Sequence, residues 1–185
     1  MLKERDIKTV SLEEYQDIFG FPVIDYYRQV GFDFDKDPFS ELAIEFIDYY
    51  QKASLKVGLV KGSLETLKEL HNRGYKQIIL SASERNNLIE QLENYNLLGY
   101  FEEVLGLTDI EATSKSEVGK RFLKTLPNKD VKILMIGDSI HDHEVAEELK
   151  ADCFLVCEGS HQSKKRLEQT GCRVFDNCLE ILEIL

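Results

Sequence analysis

The sequence has no apolar run approaching the length of a membrane span, and its opening Met-Leu-Lys-Glu-Arg-Asp is not that of a signal peptide. A soluble, cytoplasmic protein is the expectation. A cluster of Lys and Arg is also lacking: 23 basic residues stand against 34 acidic ones, for a net charge of −11. Without a basic stripe to follow a phosphate backbone, nucleic acid is not an expected partner. A small anion stays admissible, because a bound cation reverses the local field. No internal repeat or low-complexity linker divides the 185 residues, a length that fits one domain or a core with a small cap. The four cysteines (Cys153, Cys157, Cys172 and Cys178) match no familiar zinc spacing, so they are expected to be buried, reduced thiols.

What the chain does have is an apolar share of 43 %, ample for a packed core, arranged in two different patterns. Residues 1–57 read as helices. Ser11 and Glu14 form a capping box, and residues 23–30 and 39–53 carry aliphatic and aromatic side chains at helical spacing. Gly20, Pro22, Gly31 and Pro38 punctuate them. Residues 58–185 alternate between helix and strand. Strands are predicted at 77–80, 103–106, 131–136, 153–157 and 173–175, with helices at 63–72, 86–95, from Ser114, at 144–150 and at 163–170. Such alternation predicts an α/β fold with a parallel, Rossmann-like sheet and right-handed crossovers.

Chemistry-bearing residues gather after three of these strands. Ser81 follows the first, where its hydroxyl and neighbouring N–H groups, that of Ala82 included, suit a phosphate oxygen. Alone, a serine there is more often a turn or a helix cap. Ser114 and Glu117 make a second capping box, which puts Lys115 in the first turn of a helix, where a cation opposes the helix dipole. Lys120 competes for the same role. The run Val131-Lys132-Ile133-Leu134-Met135-Ile136 ends in Gly137-Asp138-Ser139, with Asp142 one helical turn beyond Asp138. Two carboxylates at the carboxyl end of a parallel strand make a hard-oxygen cluster suited to Mg²⁺. His141 and His143 flank Asp142 on a helix start, pointing apart, and are expected to face solvent.

Taken in this order, the three sites resemble the haloacid dehalogenase superfamily of phosphatases, over most of the chain. Ile78-Ile79-Leu80-Ser81 resembles the family's second motif, Lys115 its third-motif lysine, and Gly137-Asp138-Ser139-Ile140-His141-Asp142 its fourth. Val60-Lys61-Gly62-Ser63 through Leu70, followed by Gly74-Tyr75, is similar to the return from a helical cap into the core. The phosphoglycolate phosphatase-like subgroup is the nearest by resemblance. It implies a cap over residues 1–57, a core over 58–185, and a small phosphorylated metabolite as substrate. Asp138 and Asp142 would hold Mg²⁺, Lys115 would balance phosphoryl charge, and Ser81 and Ala82 would bind the phosphoryl group. Hydrolase and mutase share these motifs, and no feature of the chain speaks to its oligomeric state.

The resemblance also implies an Asp-x-Asp-x-Thr/Val nucleophile motif on a first, central strand near the amino terminus. No such strand is found. Phe32-Asp33-Phe34-Asp35-Lys36-Asp37 has the aspartate spacing, but Tyr27-Arg28-Gln29-Val30-Gly31 precedes it in place of an apolar strand. Leaving a central strand out exposes backbone groups on both neighbours, at roughly 1–3 kcal/mol for each one left unpaired. The expectation is that the chain is truncated, by roughly 20 residues, and inactive as written. The alternatives are a non-catalytic domain that kept the scaffold and accepts a strand from a partner, and a receiver-like domain, which the helical front half disfavours.

Overall fold

The computed structural model describes residues 1–107, 114–128 and 130–185. The amino-terminal part is a small helical layer: α1 (Leu12–Ile18), α2 (Val23–Val30) and α3 (Phe39–Ser54). Ser11 caps α1 in the reciprocal manner that the sequence predicts, and Gly31 ends α2 at a φ of 104°. The layer has its own core of Tyr27, Val30, Phe32 and Leu42, the last fully buried. Arg5 ties it together, donating from Nε to Asp37 and from Nη2 to Glu45. The Asp33–Asp37 stretch is a turn within this layer. Asp33 accepts the Asp35 N–H and pairs with Lys36, so the aspartate spacing here serves a turn and not a strand end.

The rest of the chain alternates helix and strand as expected: α4 (Ser63–Asn72), β1 (Ile78–Glu84), α5 (Arg85–Asn94), β2 (Glu103–Leu107), α6 (Lys115–Thr125), β3 (Leu134–Gly137), α7 (Ile140–Leu149), β4 (Asp152–Val156), α8 (Lys164–Glu168) and β5 (Arg173–Phe175). All strand pairs are parallel. The sheet is split, however. β1 pairs with β2, β3 with β4 and β4 with β5, and β1 and β3 belong to different sheets. Ile78 and Ile136 are 37 % and 40 % exposed, unusual for aliphatic side chains in parallel strands. The sheet has therefore not closed up across this division.

Helix α6 spans it. A methyl group placed at Gly119 would lie 2.7 Å from Leu149 of α7 and 3.2 Å from Leu80 of β1, so this glycine lets one helix pack against both halves. β1 also runs further than predicted. It continues to Glu84, but the partners step from Leu80↔Leu105 to Glu84↔Leu107, which bulges residues 81–83 out of the ladder. Gly106 makes the bulge possible, since a side chain there would meet the Ser83 carbonyl at 2.9 Å and the Arg85 Cα at 2.7 Å. Bulges of this kind re-aim side chains at the ends of strands.

The helical layer is fastened to the α/β part at two places. Arg166 Nη1 donates to the carbonyls of Gln16 (2.8 Å) and Phe19 (2.7 Å), closing the carboxyl end of α1 onto the start of α8. On the other side, the Tyr95 hydroxyl donates to the Ser54 carbonyl at the end of α3, and Gln51 donates to Glu90. The residues between α1 and α2 are thereby held beside the carboxyl end of β3.

Candidate functional site

The site is built on the turn between β3 and α7. Ser139 caps α7, accepting the Asp142 N–H, and Asp142 Oδ2 accepts in return from the N–H groups of Asp138 and Ser139 (both 3.0 Å) and from the Ser139 hydroxyl (2.8 Å). The other carboxylate oxygen, Oδ1, accepts a short hydrogen bond from Lys115 Nζ. Both partners are deeply placed, with side chains 14 % and 7 % exposed. Lys115 thus stands in the first turn of α6, where the helix dipole disfavours it, because Asp142 stabilises its charge there. Lys120 is instead paired with Glu148 on the surface.

Asp142 was expected to share a metal with Asp138. Both of its carboxylate oxygens are engaged by the protein. Oδ2 already accepts three donors, and Oδ1 faces an ammonium that would repel a dication. Asp138 differs on both counts. Among the described residues no side chain donates to its carboxylate, which lies partly buried at the mouth of the turn. Burial first, and then the charge of Asp142, push the Asp138 carboxyl above the usual carboxylate range. Burial would raise Asp142 too, but the charge and hydrogen bond of Lys115, with those of the Ser139 hydroxyl and the Asp138 N–H, outweigh it and hold this carboxyl low. Two neighbouring carboxylates driven in opposite directions are characteristic of functional sites.

Residues that sequence reasoning did not single out complete the turn. The loop after β4 reaches back to it: the buried Ser160 hydroxyl donates to the Asp138 carbonyl, and the buried Gln162 accepts the Ile140 N–H at 2.7 Å. A buried polar pair at a strand-following Gly-Ser-x-Gln was the available signal. His161, between them, bonds the Tyr15 hydroxyl through Nδ1 at 2.7 Å and acts electrostatically on Asp138. Phe19 lies 5.1 Å from the His161 ring, and Phe21 lies 4.8 Å from the ring of His141. The aromatic residues of the helical layer therefore divide: Tyr27 and Phe32 are core, while Tyr15, Phe19 and Phe21 roof the site. His141 and His143 are half-buried, not solvent-facing, with side chains 31 % and 20 % exposed.

Ser81 and Ala82 lie in the β1 bulge, in the other sheet. The Ser81 hydroxyl accepts the Ser83 N–H at 3.1 Å, which leaves its own proton free to be donated. No hydrogen bond among the described residues joins Ser81 to the Lys115–Asp142–Asp138 group; their common support is α6, which packs on both β1 and α7.

Comparison with known proteins fits this architecture. Residues 1–156 match the family model described as haloacid dehalogenase-like hydrolase. The chain is 22 % identical over 142 residues to a phosphoglycolate phosphatase of Vibrio vulnificus, covering 76 % of this chain and 62 % of that one. It is 29 % identical over 83 residues to the pyrophosphatase PpaX of Halalkalibacterium halodurans, covering 44 % of this chain and 39 % of that one. The chain thus spans between about two fifths and three fifths of the length of these curated relatives. A haloacid dehalogenase-like family protein of Streptococcus pneumoniae superposes with a TM-score of 0.82 at 19 % identity, over 99 % of this chain and 85 % of that one. No helix among the described residues is long and apolar enough to cross a membrane. With a matching model over most of its length, and with its lysine and paired aspartates brought together in space, the chain belongs to the haloacid dehalogenase-like hydrolase family.

Proposed function

We propose that this chain carries the metal- and phosphate-binding part of a Mg²⁺-dependent phosphatase for small phosphomonoesters. The observation that carries the proposal is the division of labour between the two aspartates: Asp142 is spent on Lys115, and Asp138 is left as a free carboxylate beside that buried ammonium. A hard carboxylate to which no side chain among the described residues donates suits Mg²⁺, which commonly takes one or two carboxylates and fills its shell with water and substrate phosphate. Bound there, the ion would supply Lewis-acid stabilisation to the phosphoryl oxygens. Lys115, fixed by Asp142, neutralises phosphoryl charge, and Ser81 and the Ala82 N–H orient the group from the bulge. Residues 1–57 act as the cap over a core of 58–185. Its aromatic roof, fastened through Arg166 and near enough for Tyr15 and Tyr50 to feel the Asp138 charge, supports a small substrate.

Among the described residues, no aspartate stands at a strand end facing both Ser81 and Asp138. The 185-residue chain is therefore expected to bind inorganic phosphate in the presence of Mg²⁺ and to hydrolyse p-nitrophenyl phosphate only at the background rate. Calorimetric titration with phosphate and a colorimetric assay check the two halves. Lys115→Met should weaken phosphate binding at least tenfold, by about 1.4 kcal/mol. Mg²⁺-dependent turnover well above background would overturn the expected inactivity. The split sheet favours a second reading, a scaffold without phosphate chemistry, and failure to bind phosphate at all would support it.

A further inference from the structure

We propose that His143, Cys153 and Cys172 form a second metal site, one that takes a thiophilic dication of the Zn²⁺ type. Three separate elements supply the donors: His143 from the amino-terminal half of α7, Cys153 from β4, and Cys172 from the turn entering β5. Their ligand atoms all lie within 4.8 Å of one another, and this is the one such convergence of His, Cys or carboxylate donors among the described residues. The nearest pair, Cys172 Sγ and His143 Nδ1, is 3.0 Å apart. Tetrahedral Zn²⁺, with bonds of about 2.0–2.3 Å, separates its donors by roughly 3.4–3.8 Å. The three side chains therefore need to adjust by no more than about one ångström to accept it.

Each donor is held in place by the fold. Cys153 sits within the ladder opposite Met135, and the Cys172 N–H donates to Thr170 Oγ1 at 3.1 Å. His143 Nε2 stands 3.6 Å from Glu147 Oε1. In the tautomer with its proton on Nε2, the Nδ1 lone pair is directed toward the Cys172 sulfur, 3.0 Å away. All four cysteines are free of disulfides. Burial, and then Cys172, push the Cys153 thiol up to about 12, so the metal must displace the thiol protons, which pass to solvent as it binds. The fourth position falls to water, since the three donors are half-buried and solvent reaches the cluster.

Two thiolates and an imidazole select a soft or borderline cation and disfavour Mg²⁺, whereas the Asp138 carboxylate does the opposite. The two sites therefore discriminate between metals by donor type, although His143 follows Asp142 directly in α7. The other two cysteines, expected to be buried, reduced thiols, are free and half-buried. Cys157 faces Asp176, and Cys178 packs on the cluster of Val156, Phe175 and Ile181. Filling the Cys153–Cys172–His143 site would tether α7, the helix that carries Asp142, to β4 and β5.

Titration of the reduced full chain with Co²⁺, followed by absorption, tests this proposal. One equivalent should produce a near-ultraviolet thiolate-to-cobalt band with tetrahedral visible bands, and Zn²⁺ should displace both. Cys153→Ser and Cys172→Ser should each abolish the thiolate band, and His143→Ala should weaken Co²⁺ binding at least tenfold. Cys157→Ser and Asp138→Asn should leave the band intact. No thiolate band in the unmodified chain, or a band that survives both Cys153→Ser and Cys172→Ser, would overturn the proposal. Loss of the band in Asp138→Asn would refute the separation of the two sites.

Discussion

Replacing Asp142 with asparagine is expected to destabilise the fold by about 3–5 kcal/mol, measured by chemical denaturation near neutral pH. The loss is large because the Lys115 ammonium stays behind, 14 % exposed and without its counter-charge. The change also replaces a carboxylate oxygen that accepts three hydrogen bonds at the start of α7. Combining it with Lys115→Met should recover a good part of the loss, since no buried charge is then unpaired; the non-additivity measures the pair. The pH dependence has a definite sign. The Asp142 carboxyl is lower in the folded state than in the unfolded chain, so its contribution is present above the unfolded value of about 4 and lost as pH falls through the folded value. In Asp142→Asn that acid-side component should be absent. A variant as stable as the parent, with an unchanged acid limb, would contradict the role given to Asp142.

Gly137→Ala is expected to cost about 3 kcal/mol and to disorganise the site at once. A methyl group at this position would fall 2.3 Å from Asp142 Cβ, 2.5 Å from its Cγ and 2.6 Å from its Oδ2. The aspartate cannot retreat, because its backbone and Oδ2 are bound to Ser139 and its Oδ1 to Lys115. Either the turn opens or the lysine pair breaks. Gly99→Ala, with nothing within 4 Å of the added methyl, is the matched control and should stay within about 0.5 kcal/mol of the parent. Equal melting curves for the two variants would show that the Gly-Asp step is not set by the close approach of Asp142.

These two variants also show what the sequence could and could not convey. Gly137-Asp138 was legible because an apolar run ending in those residues has a local meaning. The same holds for the Ser11 cap and for α4, whose predicted bounds are those observed. Lys115 was separable from Lys120 only through the family resemblance; in the structure Lys120 pairs with Glu148 on the surface. The role of Asp142 was not legible, since it depends on a partner in α6 that only the tertiary fold supplies. The passage of β1 through Ser81 to Glu84 was missed for a similar reason: a bulge is defined by the register of β2, and Gly106 permits it. The division of the sheet between β1 and β3 has no local signal, since strand pairing is set by the tertiary fold. His143, Cys153 and Cys172 resemble no motif because three consecutive elements of the fold, and no regular spacing, bring them together.

Asp138 is proposed above as the metal-binding carboxylate of this site. Calorimetric titration with Mg²⁺, on the parent and on Asp138→Asn, tests it most directly. The parent should bind one ion, and the variant should lose at least tenfold in affinity, about 1.4 kcal/mol. Because burial and Asp142 raise the Asp138 carboxyl, protons should begin to compete with Mg²⁺ at a higher pH than for an ordinary aspartate, and affinity should fall as pH is lowered through that range. The unliganded variant should also be slightly more stable, by about 1 kcal/mol, since a partly buried like-charged neighbour of Asp142 is gone. Mg²⁺ binding of equal strength in the two proteins would contradict the account.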